Sequence, residues 1–503
     1  MTGDLNRKVA SGIAWMTGAR SAVRALGLLS TLVLARLLVP EDFGIIAMAT
    51  SIAAGLELLT LFGFDVALIQ RKSLCRDDYD SAWTLNILLG LGLAVLLVMS
   101  ADAAADFYRE PRLEAVVMLL GIQYAVRSAA NPGTVDFRRN LDFRFEFVNQ
   151  VIPKLGGVLL TIPLAWIVRD YRALIAGMIL TAILTCIVSY VVHPHRPRFC
   201  LRGAGELFRF SRWLLLNNII SFLRNRAATF IIGRVMGTAS LGIYGLAHEI
   251  SDLPTTEMVA PINRVLGPTY VKVRDDPELL RSTFRSTFGL ICLLILPASI
   301  GLAAVADPLV RVVLGEKWLA TIPVIALLAI SGAGQVMQTN TGSIHTAIGH
   351  PRFITLTGLI QMTTLLPAIV LGTMHFGLEG AAAAYALHTW ALGIWVTYAI
   401  LFRTSVIRPG DVIAPSWRPL CASVVMYLLV RAFLAFCPGP DGFTSSLVAL
   451  TLAVILGVAA YSGVLLVLWL ASGKPVGSET AVLWRVRQTF GRLRGRTWPG
   501  SPG

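Results

Sequence analysis

Residues 442–473 read GFTSSLVALTLAVILGVAAYSGVLLVLWLASG, a run of 32 residues without Asp, Glu, Lys or Arg. About 20 consecutive apolar residues suffice for a helix to cross the hydrocarbon core of a bilayer. Further charge-free runs occupy 318–351, 353–378 and 380–402. Of the 503 residues, 55% are hydrophobic and only 14% are charged, whereas soluble domains carry about 25% charged residues. The sequence therefore predicts an all-α polytopic membrane protein.

Hydropathy predicts fourteen transmembrane helices, whose ends are defined to within a few residues. The loops and tails on the side of the N-terminus carry 28 of the 43 Lys and Arg residues, and those on the other side carry seven. Because cytoplasmic loops are enriched in Lys and Arg, both termini are expected in the cytoplasm. The predicted spans lie near 10–38, 43–68, 80–101, 113–131, 146–168, 173–193, 213–233, 240–263, 286–306, 319–342, 353–374, 380–402, 419–436 and 446–471.

The net charge of +14 is explained by these basic loops. No basic run is interleaved with aromatic residues, as a nucleic-acid stacking surface would require. The six cysteines are scattered without a CxxC pair, so neither a disulfide framework nor a zinc site is expected. His193, His195 and Cys200 lie close together in HPHRPRFC (193–200), but prolines and arginines there favour an extended basic linker over a metal site. We expect no metal and no cofactor.

An internal repeat organises the chain. LARLLVPEDFGIIAM (34–48) aligns with IGRVMGTASLGIYGL (232–246) at an offset of 198, which matches Gly44 to Gly242. Because six predicted spans separate the copies, the halves have the same topology and are parallel repeats about an axis along the membrane normal. The last two spans lie outside the duplication.

The repeat predicts two pseudo-symmetric six-helix lobes followed by two further helices. The predicted divisions are an N-terminal lobe, a cytoplasmic linker, a C-terminal lobe, a helical appendage and a basic cytoplasmic tail. Their bounds are 1–193, 194–212, 213–402, 403–471 and 472–503.

Two arginines stand inside the first predicted span, WMTGARSAVRALGLLSTLVLARLL (15–38). Arg20 and Arg24 are one turn apart and share a helix face, which Gly27 and Thr31 continue with small side chains. A guanidinium near the bilayer centre costs at least ~2.5–3.5 kcal/mol, and such groups usually face a bundle interior or a watery cavity. Arginine's planar donor fork suits phosphate oxygens. We therefore predict a cavity that binds a phosphorylated ligand; the alternative is that both arginines pair with buried acids and pin helices together.

Other intramembrane cations are candidates for the same cavity: Arg127, Lys154 and Arg224. For Arg127 and Lys154 a structural ion pair is an equally good interpretation. Arg224 and Arg226 are two residues apart and project about 200° from each other, so at most one of them is expected to face the cavity.

Buried acids and helix-breaking prolines supply the remaining candidates. Glu57 and Glu249 are candidates for coupling transport to a proton or sodium gradient, because a buried carboxylate can change protonation state. Glu57 alternatively neutralises Arg20 or Arg24. Pro254 and Pro261 in the eighth span are candidate hinges, or static kinks that shape a cavity wall.

The chain resembles the polysaccharide (Wzx-type) flippase family of the multidrug/oligosaccharidyl-lipid/polysaccharide exporter superfamily. The resemblance covers essentially the whole chain and rests on the order and spacing of several motifs. These are LARLLVPEDFGIIAM (34–48), GRVMGTASLGIYGLAHEI (233–250), PTYVKVRDDPELLRSTF (268–284), VLGEKWLATIPV (313–324) and HTAIGHPRFITLTGLI (345–360). Many relatives carry an acid in the middle of the seventh span, where this chain has RNRAATF (224–230); an ion-coupling scheme that uses such an acid is therefore in doubt here.

The resemblance implies two rocking lobes and an undecaprenyl-pyrophosphate-linked oligosaccharide as substrate. Its implied location is the bacterial inner membrane, with membrane lipids and polysaccharide assembly machinery as partners. The alternative transporter is a cation-coupled drug exporter of the same superfamily, but those typically have twelve spans and acidic cavities. A membrane polysaccharide polymerase or ligase usually needs a sizeable outer loop, and every predicted outer loop here is shorter than about fifteen residues. A transporter rather than an enzyme is expected.

Overall fold

The computed structural model describes residues 2–58, 64, 68–69, 74–140, 142–201, 204–436, 442–475 and 478–480. Within these ranges, the side chains of 2–10, 13, 204–221, 223–225, 260–261 and 263–265 lie outside the description. Contacts divide the chain into two compact units, Met1–Gly245 and Leu246–Gly503. The described ranges contain helices and no strand, so the predicted all-α class is confirmed.

The first unit holds the first seven helices and most of the eighth. Asp42 and Asp78 lie in the first turns of two of them, where each carboxylate accepts the backbone N–H of the residue three positions earlier, Val39 (3.1 Å) or Cys75 (2.9 Å). These bonds satisfy donors that a helix start leaves free. The helices are α1 (Thr2–Leu37), α2 (Pro40–Glu57), α3 (Arg76–Tyr108), α4 (Arg112–Ser128), α5 (Val135–Arg139), α6 (Phe143–Val168), α7 (Arg172–Val192) and α8 (Ala204–Ser251).

The second unit is built from the remaining helices around an apolar core. Phe284 and Phe288 stack within it with ring centroids 5.3 Å apart. The helices are α9 (Leu253–Val273), α10 (Pro277–Ala304), α11 (Ala306–Val313), α12 (Thr321–Val336), α13 (Thr339–Ala347), α14 (Arg352–His388), α15 (Ile394–Thr404), α16 (Pro409–Phe436) and α17 (Phe443–Ala471). A π-helical turn, Thr389–Gly393, joins α14 to α15.

Ten of the described helical stretches are long and apolar enough to cross a membrane, or eleven if the bent pair Arg112–Ser128 and Pro132–Arg139 is one span. One stretch, Arg352–Thr404, has 53 residues, which as one straight helix would be about 80 Å long. It breaks at Gly377, where φ is 64°. Residues on the two sides of the break meet, since a Cβ at Gly372 would overlap the Gly380 carbonyl oxygen. The protein is therefore a multi-pass membrane protein with a hairpin inside this stretch.

Candidate functional site

Helices α1 and α6 form the seam on which the first predicted arginines lie. Three contacts define it. A Cβ at Gly12 would overlap the Phe143 ring, Trp15 and Phe147 pack edge to face with centroids 5.3 Å apart, and a Cβ at Gly27 would lie 3.8 Å from Lys154 Cε. Residue numbers rise together along both helices in these contacts, so α1 and α6 run parallel.

The seam brings Lys154 to the face of α1 that carries the arginines. Arg20 precedes Gly27 by seven residues, so the two point in directions about 20° apart. Arg20 is exposed, and Arg24 and Lys154 are half-buried, with the Arg24 Nε atom buried. In the described part of the chain, no carboxylate oxygen lies within 4 Å of the Arg20 or Lys154 nitrogens. Arg20 and Lys154 thus place positive charge on this seam.

Helix α6 also contains oxygen acceptors for which the described residues supply no donor, one turn before Pro153. Pro153 has no N–H to donate to the Asn149 carbonyl, as a regular helix would require. The Asn149 side-chain oxygen is buried and has no hydrogen-bond partner among the described residues.

A second polar cluster joins α2 and α4 in the same unit. The Tyr124 hydroxyl donates to a Glu57 carboxylate oxygen at 2.9 Å. Arg127 lies three residues later on α4, and both Arg127 and Arg226 act electrostatically on this hydroxyl. Tyr124 was not among the residues predicted from sequence; its spacing to Arg127 on one helix face was the available signal.

The remaining predicted residues are Arg224, Glu249, Pro254 and Pro261. The Arg224 side chain is outside the described residues. Glu249 is half-buried on α8 in the second unit. Pro254 lies in the first turn of α9, after a break at Asp252, and Pro261 lies inside α9. A proline in the first turn breaks no helix hydrogen bond, so the bend at Pro254 belongs to the junction between the two helices.

The predicted linker is held against the first unit at its start. His195 Nε2 lies 3.0 Å from a buried Asp80 carboxylate oxygen, and His193 Nε2 lies 3.5 Å from Asp136. The Asn131 side-chain amide donates to the carbonyl oxygens of both histidines. Burial lowers the pKa of His193 below its ordinary value, although the Asp136 carboxylate opposes this shift.

The second unit contains an apolar cavity of about 450 Å³ between the end of α8 and the helices α9, α10, α16 and α17. Its walls are carbon atoms almost throughout. Pro254 belongs to this wall, so one predicted hinge residue lines the cavity. Other lining residues are Leu253, Pro297, Met426, Val430, Gly457, Val458 and Tyr461.

Comparison with known sequences and structures gives the family. Residues 33–323, more than half of the chain, match the profile of the family described as "Polysaccharide biosynthesis protein". The chain belongs to this family. The resemblance drawn from the five motifs is thereby confirmed.

Relatives of this polysaccharide biosynthesis protein cover most of its length. It is 26% identical to the lipopolysaccharide biosynthesis protein WzxC of Escherichia coli K12, over 84% of this chain and 85% of WzxC. It is 23% identical to the succinoglycan biosynthesis transport protein ExoT of Rhizobium meliloti, over 86% and 88%. Among solved structures, the lipid II flippase MurJ in an inward closed conformation matches with a TM-score of 0.69 at 14% identity, over 91% of this chain and 99% of MurJ. At 14% identity, the similarity to MurJ concerns the fold.

Proposed function

We propose that this protein moves an oligosaccharide linked to undecaprenyl pyrophosphate from the cytoplasmic to the outer leaflet of the bacterial inner membrane. Its relatives WzxC and ExoT carry names of polysaccharide biosynthesis and transport. The observation that carries the substrate class is the positive seam of α1 and α6. A pyrophosphate diester has two negative charges, and charge-assisted hydrogen bonds to Arg and Lys are the strong ones.

The proposed topology has fourteen spans, with both termini in the cytoplasm. Two long stretches, Arg226–Val259 and Arg352–Thr404, each contain a glycine with positive φ, Gly237 and Gly377, and each counts as two spans. The bent pair in α4–α5 counts as one further span. Together with α2, these give fourteen, and the excess of Lys and Arg on the side of the N-terminus supports the orientation.

The mechanism we propose is alternating access. Binding of the loaded carrier must favour one arrangement of the protein over the other, since a ligand shifts an equilibrium only by its differential affinity. The pyrophosphate and the sugars would occupy a watery chamber at the α1–α6 seam. The polyprenyl tail would stay in apolar surroundings, and the cavity beside Gly457 and Val458 is the candidate wall for part of it.

For ion coupling we propose Glu57, with Glu249 as the alternative. Support comes from the contact of Glu57 with Tyr124 beside Arg127 and Arg226, where a change in carboxylate charge would be felt by neighbouring cations. Glu57→Gln should abolish the dependence of transport on an imposed proton or sodium gradient. If E57Q responds to gradients as the wild type does, this assignment fails.

The test of the substrate assignment uses inverted membrane vesicles and a labelled lipid-linked oligosaccharide. Arg20→Ala combined with Arg24→Ala should reduce transport by more than about tenfold, since each lost bond to a charged partner is worth about 1.5–3 kcal/mol. The lysine double variant should recover part of the rate, because Lys keeps the charge but not the planar fork.

The matched control removes two arginines from an exposed turn, Arg169→Ala with Arg172→Ala, and should transport at the wild-type rate. Full transport by the R20A/R24A variant would remove the phosphate-binding role. Absence of labelled-lipid transport by the wild type would remove the function itself.

A further inference from the structure

The two copies of the sequence repeat lie at two helix breaks. In the first copy, α1 ends at Leu37 and α2 begins at Pro40 after an extended Val39. In the second copy, α8 breaks at Gly237, where φ is 80°. Val39 and Gly237 differ by 198 positions, the offset of the repeat, so the duplicated motif places a helix break at the corresponding residue of both copies.

These two turns pack directly against each other, and the contact is reciprocal. A Cβ at Gly44 would overlap the carbonyl oxygen of Thr238, and a Cβ at Gly242 would overlap the carbonyl oxygen of Pro40. The offset of 198 converts Gly44 into Gly242 and Pro40 into Thr238. Each contact is therefore the image of the other, as in an isologous interface about a two-fold axis.

Glycine is required at both positions by space. The obstacle in each case is a backbone carbonyl, which cannot turn aside as a flexible side chain can. Both glycines are buried, and so are Ile45 and Leu241 beside them, with 0% and 1% of their surface exposed. The backbones of the two turns are therefore in direct contact, with no side chain between them at these glycines.

Neighbouring contacts fasten both turns. The Asp42 carboxylate accepts from the N–H of Val39 and from the N–H of Tyr171 in the turn between α6 and α7. In the second copy, the ring of Tyr108 at the end of α3 packs against Gly233. Each copy of the motif is thus also in contact with another element of the first unit.

We propose that the paired turns around Gly44 and Gly242 are the outer seal of the transport route. They lie at the end of α1 opposite the N-terminus, which the predicted orientation places outside the cytoplasm. In the structure they are closed, and they separate when the route opens outward. The role as a seal rests on the proposed function, since a seal implies transport.

The first test separates the two turns by adding a methyl group at one of the contact glycines. Gly44→Ala or Gly242→Ala should raise the labelling of a reporter cysteine, Leu241→Cys, by a membrane-impermeant maleimide in intact cells, at least severalfold. The parent is a chain whose six natural cysteines are replaced by Ala and which retains transport. Gly245→Ala is the matched control, because a Cβ there meets nothing within 4 Å, and it should label as the parent does. Folded Gly44 and Gly242 variants that label like the control would overturn the proposal.

A second measurement tests the proposal if the Gly44→Ala and Gly242→Ala variants fail to fold. The second measurement uses the double variant Glu41→Cys and Ala239→Cys. Glu41 and Ala239 are the residues after Pro40 and Thr238, and they are related by the same offset of 198. Joining them with a short bifunctional thiol reagent that contains a disulfide should stop transport, and reduction should restore it. A cross-linked chain that transports at the full rate would overturn the seal. A wild type that transports no lipid-linked sugar, but whose glycine variants label from outside, would instead remove the substrate proposal.

Discussion

Asp411 shows how a single buried charge fixes two helices of the second unit. None of its surface is exposed. Its carboxylate lies 2.9 Å from Arg281 Nε and 2.6 Å from Arg285 Nε, both on α10, and accepts the backbone N–H of Arg408 at 2.9 Å. Arg281 also contacts Glu278, whose side chain is 83% exposed. One arginine thus has a buried partner and an exposed one.

This difference predicts unequal effects for two equivalent substitutions. Asp411→Asn should lower the melting temperature of the purified protein by several degrees, because an amide donor would face two guanidinium groups in a buried site. Glu278→Gln should leave it almost unchanged, since exposed ion pairs contribute little. The measurement is thermal unfolding in detergent. Equal shifts for both variants would show that burial does not set the strength of this cluster.

At the same scale, the sequence predicted residue types better than it predicted partners. The spacing of Arg20 and Arg24 alone places both on one helix face, and their hydrocarbon surroundings mark them as unusual. Tyr124 escaped notice because its partner Glu57 is 67 positions away. His195 and Asp80 are 115 positions apart. Such pairs follow from how the helices pack, which hydropathy does not encode.

At the scale of elements, hydropathy located the apolar helices but not the manner of their joining. Gly377, whose φ is positive, lies in the predicted loop between the spans 353–374 and 380–402. The start of the predicted linker was expected to be extended, and residues 193–201 form neither helix nor strand. Its attachment through His193 and Asn131 to α5 and its neighbours was not foreseen, because it depends on residues more than 50 positions away.

The attachment of the linker should depend on pH through His193. A lowered pKa means that the docked linker binds fewer protons than the free one at this histidine. Docking is therefore fully stable above the ordinary pKa of about 6.5 and weakens as the pH falls toward the lowered value. Facing groups are the Asp136 carboxylate, which favours the charged imidazole, and His195 and Arg196, which disfavour it.

Hydrogen exchange of residues 193–200, corrected for its intrinsic pH dependence, measures this effect. Between pH 7.5 and 5.5 the wild type should open severalfold more often. His193→Gln has no charge to gain and should remove most of the change. If H193Q and the wild type respond alike, the sensitivity arises elsewhere in the linker.

At the scale of the whole molecule, the sequence repeat was the most informative signal. The offset of 198 between Gly44 and Gly242 became a physical contact, with each glycine covering a carbonyl of the other copy. The division into lobes at 1–193 and 213–402 stays a prediction. Cavities, in contrast, have no signature in sequence, since the residues around the apolar cavity come from five helices spread between Ile250 and Tyr461.

The apolar cavity leads to a prediction about the carrier's tail. A polyprenyl chain that leaves the bilayer for this cavity gains little from the hydrophobic effect, because lipid is equally apolar. Any preference must come from the fit of the chain to the walls. Filling the space should therefore slow transport of the natural carrier without preventing the headgroup from binding.

Gly457→Leu tests this fit, because Gly457 lines the cavity and its added Cβ would lie 3.5 Å from Val430, an ordinary contact. We expect severalfold slower transport of the long-chain carrier and little change for an analogue with a short tail. Gly463→Leu is the matched control on α17, since a Cβ there meets nothing within 4 Å and Gly463 does not line the cavity. Vesicle assays with both substrates make the comparison. If G457L and G463L transport the long-chain carrier equally fast, the tail does not use this cavity, and its path must follow the lipid-exposed surface of the helices instead.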